Sequence, residues 1–329
     1  MVRGRGDMST RWSEGVGWLH VSGMPREFGD LRGGRHNHGL MLDGKQIVSA
    51  DRLQEARRRT AQIARHYENF TVVSWLLPRP TRQHFFNVYA FCRHADDLAD
   101  EIADKDRSLA ELARLRDDVR RMYAGEPEEL ILVALDETVR QFDIPPEPLL
   151  ALIEAFEQDQ HVSRYETYDQ LRDYCRRSAD PVGRLVLYMA GYRDPERQAL
   201  SDCTCTALQL TNFWQDVASD LGRGRIYLPR EDMARFDVRE EDIVAQRSTP
   251  QFVEMMKFEV VRTRGLFAEG RKLLPMVNRR VRGDIALYGL GGLAILDRIA
   301  TVGYNVLERR PTLSKAAKFG LMARYLIGV

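Results

Sequence analysis

From Ser49 onward the apolar residues recur every three or four positions, and alternating runs of β-branched residues are nearly absent. A chain with the helical period and no two-residue period has only helices from which to build a core. In 85–102, Phe85, Val88, Cys92, Ala95, Ala99 and Ile102 form such a buried stripe. Similar patterns cover 108–124, 128–141, 148–161, 167–190, 195–220, 249–276 and 282–307. Prolines and glycines separate them, at Pro78 to Pro80, Gly125 to Pro127, Pro145 to Pro148, Gly191 to Pro195 and Gly222 to Pro229. No self-similarity of the kind that marks a solenoid interrupts the series, so the expectation is one all-α bundle over 46–329. Residues 1–45 hold ten of the 24 glycines and show no period. They read either as a disordered Gly-rich arm or as a translation start set upstream of Met41.

Composition narrows the function classes. With 44% hydrophobic and 29% charged residues there is material for both a core and a charged surface. Lys+Arg 49 against Asp+Glu 48 leaves a net charge of +1, which gives no global attraction to nucleic acid. The four cysteines, Cys92, Cys175, Cys203 and Cys205, match neither a disulfide framework nor a zinc site. No transmembrane run and no signal peptide is legible. The expected setting is a reduced, cytoplasmic one. KAAKFGLMARYLIGV (315–329) combines Lys315, Lys318 and Arg324 with Phe319, Leu321, Met322, Leu326 and Ile327. It fits peripheral contact with an anionic membrane at its inner surface, or a last helix docked on the bundle.

Two segments carry chemistry. Asp96 and Asp100 stand four residues apart, so their carboxylates share one helical face, with Arg93 a turn earlier and Asp97, Glu101 and Asp104 close by. The i+4 partners of Asp96 and Asp97 are acids rather than Lys or Arg, so a solvated acidic face and a cation site both remain open. In LQLTNFWQDVASD (208–220), Gln209, Asn212, Asp216 and Asp220 again fall on one face. A carboxamide and two carboxylates are the hard oxygen ligands that Mg²⁺ prefers, and Mg²⁺ completes its shell with water and substrate phosphate. Two such helices face to face would bind a diphosphate only through metal bridges. GRGRIYLP (222–229) then places Arg223 and Arg225 either in a closing loop or in a solvated turn.

YAFCRHADDLAD (89–100) resembles the first Asp-rich motif, and QLTNFWQDVASD (209–220) the second, of the squalene and phytoene synthase family of trans-isoprenyl diphosphate synthases. Order, separation and the trailing RIYLP (225–229) match over roughly 60–307. ENFTVVSWLLP (68–78) is similar to the bacterial hopanoid-pathway hydroxysqualene synthase branch. The resemblance implies an all-α class I terpenoid synthase bundle with a central cavity. It implies that Asp96, Asp100, Asn212, Asp216 and Asp220 hold Mg²⁺ against the substrate diphosphate, and that Arg93 and Arg225 contact it, with Gln209 beside them. Phe70, Tyr89, Tyr174 and Tyr227 match aromatic positions near the diphosphate, where ring faces stabilise a carbocation; each also fits plain core packing. Tyr174 opens YCRRSADPVG (174–183), where other branches have a second Tyr and a small Ala-Gly pair while this chain has Arg176, Asp180 and Pro181.

The implied reaction is ionisation of presqualene diphosphate with a water quench to hydroxysqualene. The alternatives are condensation of two farnesyl diphosphates to presqualene diphosphate or squalene, a phytoene synthase-type reaction, and a non-catalytic helical scaffold or assembly factor. No nicotinamide cofactor is expected, because GLGGLAIL (289–296) follows no strand and reads as close helix packing. The implied partners are the prenyl diphosphate and, functionally, the enzymes of the preceding and following steps. Asp96→Asn or Asp216→Asn is expected to abolish diphosphate release and, by removing exposed like charges, to leave melting nearly unchanged.

Overall fold

The computed structural model describes residues 48–66 and 79–314, with Ala317 and Gly320. The proposed N-terminal arm, Phe70 and nearly all of 315–329 lie outside the described residues. Every regular element among the described residues is helical. In chain order they are α1 (Ala50–His66), α2 (Arg79–Asp100), α3 (Lys105–Ala124), α4 (Leu130–Phe142), α5 (Glu147–Gln158), α6 (Tyr168–Ser178) and α7 (Asp180–Met189). There follow α8 (Pro195–Gln215), α9 (Val217–Leu221), α10 (Arg230–Arg235), α11 (Glu240–Val244), α12 (Pro250–Gly270), a 3₁₀ turn (Arg271–Met276) and α13 (Arg279–Thr301). None is long and apolar enough to cross a membrane.

Local chemistry sets most boundaries. Asp104, Thr167, Asp194 and Thr249 each accept a backbone N–H of the first turn of the helix that follows them. Gly125 ends α3 in the left-handed conformation, φ 96°. Two expected helices are each divided. The 167–190 pattern breaks at Ala179 (φ −124°, ψ −48°), because Pro181 cannot donate a helical hydrogen bond and belongs in a first turn. The 195–220 pattern breaks at Asp216 (φ −108°, ψ 14°), so the second acidic segment is a helix end plus a single turn. The last six residues of the 249–276 pattern, Arg271–Met276, are 3₁₀ and contain Pro275.

The two largest apolar cores among the described residues follow from these elements. One joins α2, α3, α4, α5 and α7 through Phe91, Leu112, Met122, Leu135, Leu152 and Leu185. The other joins α6, α8, α12 and α13 through Leu171, Trp214, Phe252, Met256 and Leu296. The α2 stripe is buried as its period requires, through Val88, Cys92, Ala95 and Ala99, with Ile102 beyond the helix end. Trp214 Nε1 donates to Thr263 Oγ1 (2.8 Å), which locks α8 to α12. Gly292 lets α13 approach closely: a Cβ there would stand 2.3 Å from Phe267 and 3.0 Å from Leu208. Gly289 meets nothing within 4 Å, so the glycine cluster serves packing at one position.

Candidate active site

The polar face of α2 carries Tyr89, Arg93, Asp96 and Asp100 at helical spacing. Arg93 is 3% exposed and pairs with Asp96 at 3.0 Å, with Asp97, and with Glu101 at 3.8 Å. This arginine, one turn back, supplies the compensation missing at i+4. Asp96 is 2% exposed, so for this carboxylate the solvated-face reading fails and the expected removal of an exposed charge does not apply. Burial pushes the Asp97 carboxyl above its ordinary range, against the pull of Arg93. Tyr89 is buried at the α1 side against Ala64 and Phe86.

On the facing element, Gln209 and Asn212 are half-buried on the last turns of α8, Asp216 sits at the break, and Asp220 is buried on α9. Arg225 joins the two acidic segments. Its guanidinium lies 3.8 Å from Asp100 and donates to the Asp159 carbonyl at 3.0 Å, and its backbone N–H donates to the Asp220 carbonyl at 2.9 Å. Gln160 Nε2 donates to the Ala99 carbonyl at 2.9 Å, which fixes the end of α2 against the turn after α5. Arg225 therefore links the end of the first acidic segment to the second. Arg223 is exposed on the adjoining turn.

Two further residues belong to this cluster. Arg310 grips Asp216 through both carboxylate oxygens, with Nη2 to Oδ2 at 3.1 Å, and Gln215 Nε2 donates to the Pro311 carbonyl at 2.5 Å. Asp159, 6% exposed, accepts the Tyr174 hydroxyl at 3.0 Å. Neither has a local sequence signal; the ion pair of Arg310 spans 94 positions. Tyr174 and Tyr227 are buried in one aromatic stack, where Phe213 lies 3.8 Å from Tyr227, nearly parallel, and Tyr174 lies 6.0 Å from it. The stack adjoins Arg225 through Asp159.

Among the described residues no three acidic, His or Cys side chains already converge as a cation cage. The donors nevertheless fit a hard divalent cation. Among the described residues Asn212 Oδ1 is buried without a hydrogen-bond partner, a costly arrangement for an amide oxygen unless a ligand uses it. It lies between Gln209 and Asp216, among oxygen donors of the type Mg²⁺ takes.

A family model described as squalene/phytoene synthase matches residues 63–317. Among solved structures, squalene synthase HpnC from Alicyclobacillus acidocaldarius is similar at 47% identity and TM-score 0.75, covering 78% of this chain and 97% of that one. A presqualene diphosphate synthase of Rhodopseudomonas palustris is 31% identical over 263 residues, 79% of this chain and 93% of the relative. A chloroplastic phytoene synthase of an Oncidium hybrid cultivar is 31% identical over 274 residues, 81% of this chain; the match spans 66% of that longer protein.

Proposed function

The chain belongs to the squalene/phytoene synthase family, and from that premise we propose that it ionises presqualene diphosphate and quenches the cation with one water, giving hydroxysqualene and diphosphate. The observation that supports a diphosphate reaction is the bridge made by Arg225, whose guanidinium lies 3.8 Å from Asp100 while its backbone N–H donates to the Asp220 carbonyl. The choice of branch rests on the 47% identity to HpnC and on the 68–78 stretch.

Asp96 (held by Arg93), Asp100, Asn212, Asp216 and Asp220 would hold Mg²⁺. When bound, Mg²⁺ supplies the positive charge that stabilises the departing diphosphate. Arg225, and Arg93 within its own ion pairs, would add positive charge beside the diphosphate, and Gln209 would offer an amide to a diphosphate oxygen. Once the leaving group departs, the chain's task is to keep the carbocation from bulk water. The Phe213, Tyr227 and Tyr174 stack, joined to Arg225 through Asp159, would supply polarisable rings suited to a passing cation. Asp159 fixes the Tyr174 hydroxyl, so that ring is held in place. A water quench consumes no reductant, in keeping with a reaction that needs no nicotinamide.

The similarity to the Rhodopseudomonas palustris presqualene diphosphate synthase favours a second reading, condensation of two farnesyl diphosphates. Purified protein with Mg²⁺ and no nicotinamide is given each substrate separately, and extracted products are identified by mass spectrometry. Hydroxysqualene from presqualene diphosphate, with farnesyl diphosphate untouched, is the expected result. Consumption of farnesyl diphosphate would establish the condensing reading instead.

A further inference from the structure

Beyond Thr301, the last residue of α13, the chain turns at Gly303 and Tyr304, both at positive φ (69° and 62°). Val306 and Leu307 are buried in the second core, and Leu313 packs at its edge. Among the described residues no hydrogen bond between backbone groups ties 307–314 to the rest of the chain. Side chains hold this strap at the end of α8 instead. Gln215, 4% exposed, donates from Nε2 to the Pro311 carbonyl at 2.5 Å. The neighbouring pair of residues, Arg310 and Asp216, is joined by a guanidinium forked on both carboxylate oxygens, with Nη2 to Oδ2 at 3.1 Å. One turn earlier on α8, Asn212 Oδ1 has no hydrogen-bond partner among the described residues. Of these two proposed metal ligands, one is open and the other is taken.

We propose that the 308–314 strap is a latch on the metal site: Arg310 occupies Asp216 until a divalent cation displaces it, and the strap then leaves the end of α8. The inference rests on the reading of Asp216 as a Mg²⁺ ligand. A cation on either Asp216 oxygen would face the guanidinium charge across a single carboxylate, so cation and arginine compete for it. While no metal is bound, the fork offsets the repulsion between Asp216 and Asp220, which stand one turn apart with the Asp220 N–H on the Asp216 carbonyl at 2.8 Å. Gln215 is a positioning residue in this arrangement. It pins Pro311, next to Arg310, and so aims the guanidinium at the carboxylate that follows it in sequence. By linkage, the factor by which the latch weakens cation binding is also the factor by which the cation loosens the strap.

Mn²⁺, which takes the same oxygen donors and is visible by electron paramagnetic resonance when free, is the probe. It is titrated without substrate into the wild type, Arg310→Gln, Gln215→Leu and the double variant Arg310→Gln with Asp216→Asn. Arg310→Gln should bind Mn²⁺ at least about fivefold more tightly than the wild type, the lower end of couplings between sites. Gln215→Leu alters no charge and removes one hydrogen bond, so it should tighten binding by about two- to threefold. The gain should vanish in the double variant. A second readout follows the strap: tryptic cleavage after the exposed Arg309, identified by fragment mass, should quicken when Mn²⁺ is added to the wild type, by about the same factor as the affinity gain. This measurement needs no substitution and decides the matter should the variants not fold. Equal or weaker Mn²⁺ binding by folded Arg310→Gln, or cleavage that Mn²⁺ leaves unchanged, would overturn the latch and leave the metal ligands standing. Tighter binding in Arg310→Gln but not in Gln215→Leu would reduce the contact to charge repulsion and overturn it as well. Mn²⁺ bound by none of the proteins would instead remove the metal reading, and the latch with it.

Discussion

Asp96 and Asp100 carry the same charge on the same face of α2, yet their surroundings separate what each does. Asp96 and Arg93 are both almost fully buried and pair at 3.0 Å, whereas Asp100 is 17% exposed and meets Arg225 only at 3.8 Å. Removing one partner of a buried pair strands the other charge, so Asp96→Asn should cost roughly 3–5 kcal/mol of stability. Asp100→Asn should stay within about 1 kcal/mol, as for a loosely held, partly screened pair. Urea denaturation of the two variants, followed beside diphosphate release, checks this: both should lose release, and only Asp96→Asn its stability. Equal denaturation midpoints would show that Arg93 finds sufficient partners in Asp97 and Glu101. The i, i+4 spacing made this face legible, because helix geometry alone brings such residues together. Arg310 and Asp159 were illegible for the opposite reason. They reach the cluster through turns whose course depends on the packing of the helices they connect, and neither sits in a pattern of its own.

Helix limits are legible in the sequence where punctuation is strong and hidden where a break carries none. α3 begins after Asp104 and ends at Gly125, as capping chemistry dictates. The break at Ala179 had a signal in Pro181, whose place is a first helical turn. The break at Asp216 had none, since Gln215, Val217 and Ala218 are all compatible with a continuous helix, and the departure from helical geometry comes with the grip of Arg310 on Asp216. Close helix packing gives a paired test on two helical glycines. At Gly270, the last residue of α12, a Cβ would stand 2.1 Å from Thr204 Oγ1, 2.9 Å from the Thr204 nitrogen and 3.1 Å from the Leu200 carbonyl. Because backbone is among those neighbours, relief requires α8 and α12 to separate, and Gly270→Ala should cost about 1–3 kcal/mol. Gly289 has open space and a helical backbone, so Gly289→Ala should stabilise by about 0.5–1 kcal/mol. Thermal melts that ranked the two substitutions in the reverse order would contradict the packing of α12 on α8.

Buried acids give the protein a pH dependence that its near-zero net charge does not suggest. Burial pushes the carboxyls of Asp180 and Asp284 up to about 7 and that of Glu259, despite Arg262 beside it, up to about 8. A carboxyl with a raised folded value binds its proton more tightly in the native state than in the unfolded one. Stability therefore falls as pH rises from the ordinary carboxylate range through the folded value. His84 opposes this, since burial lowers its value and favours the native state as pH rises to about 6.5; above that point the acids act alone. The urea midpoint should accordingly decline between pH 6.5 and pH 8. Asp284 isolates the effect, because burial is the sole cause of its shift, no hydrogen bond or ion pair reaches it among the described residues, and it takes no part in the proposed chemistry. In sequence it follows Arg279, Arg280 and Arg282 and reads as one more surface charge; only the seating of α13 buries it. Asp284→Asn should keep the wild-type stability at low pH, exceed it at pH 8 by an amount of order a few kcal/mol, and flatten the slope of the urea midpoint between. If the variant kept the full wild-type slope, Asp284 would have to ionise at its ordinary value and the decline would belong to Asp180 and Glu259.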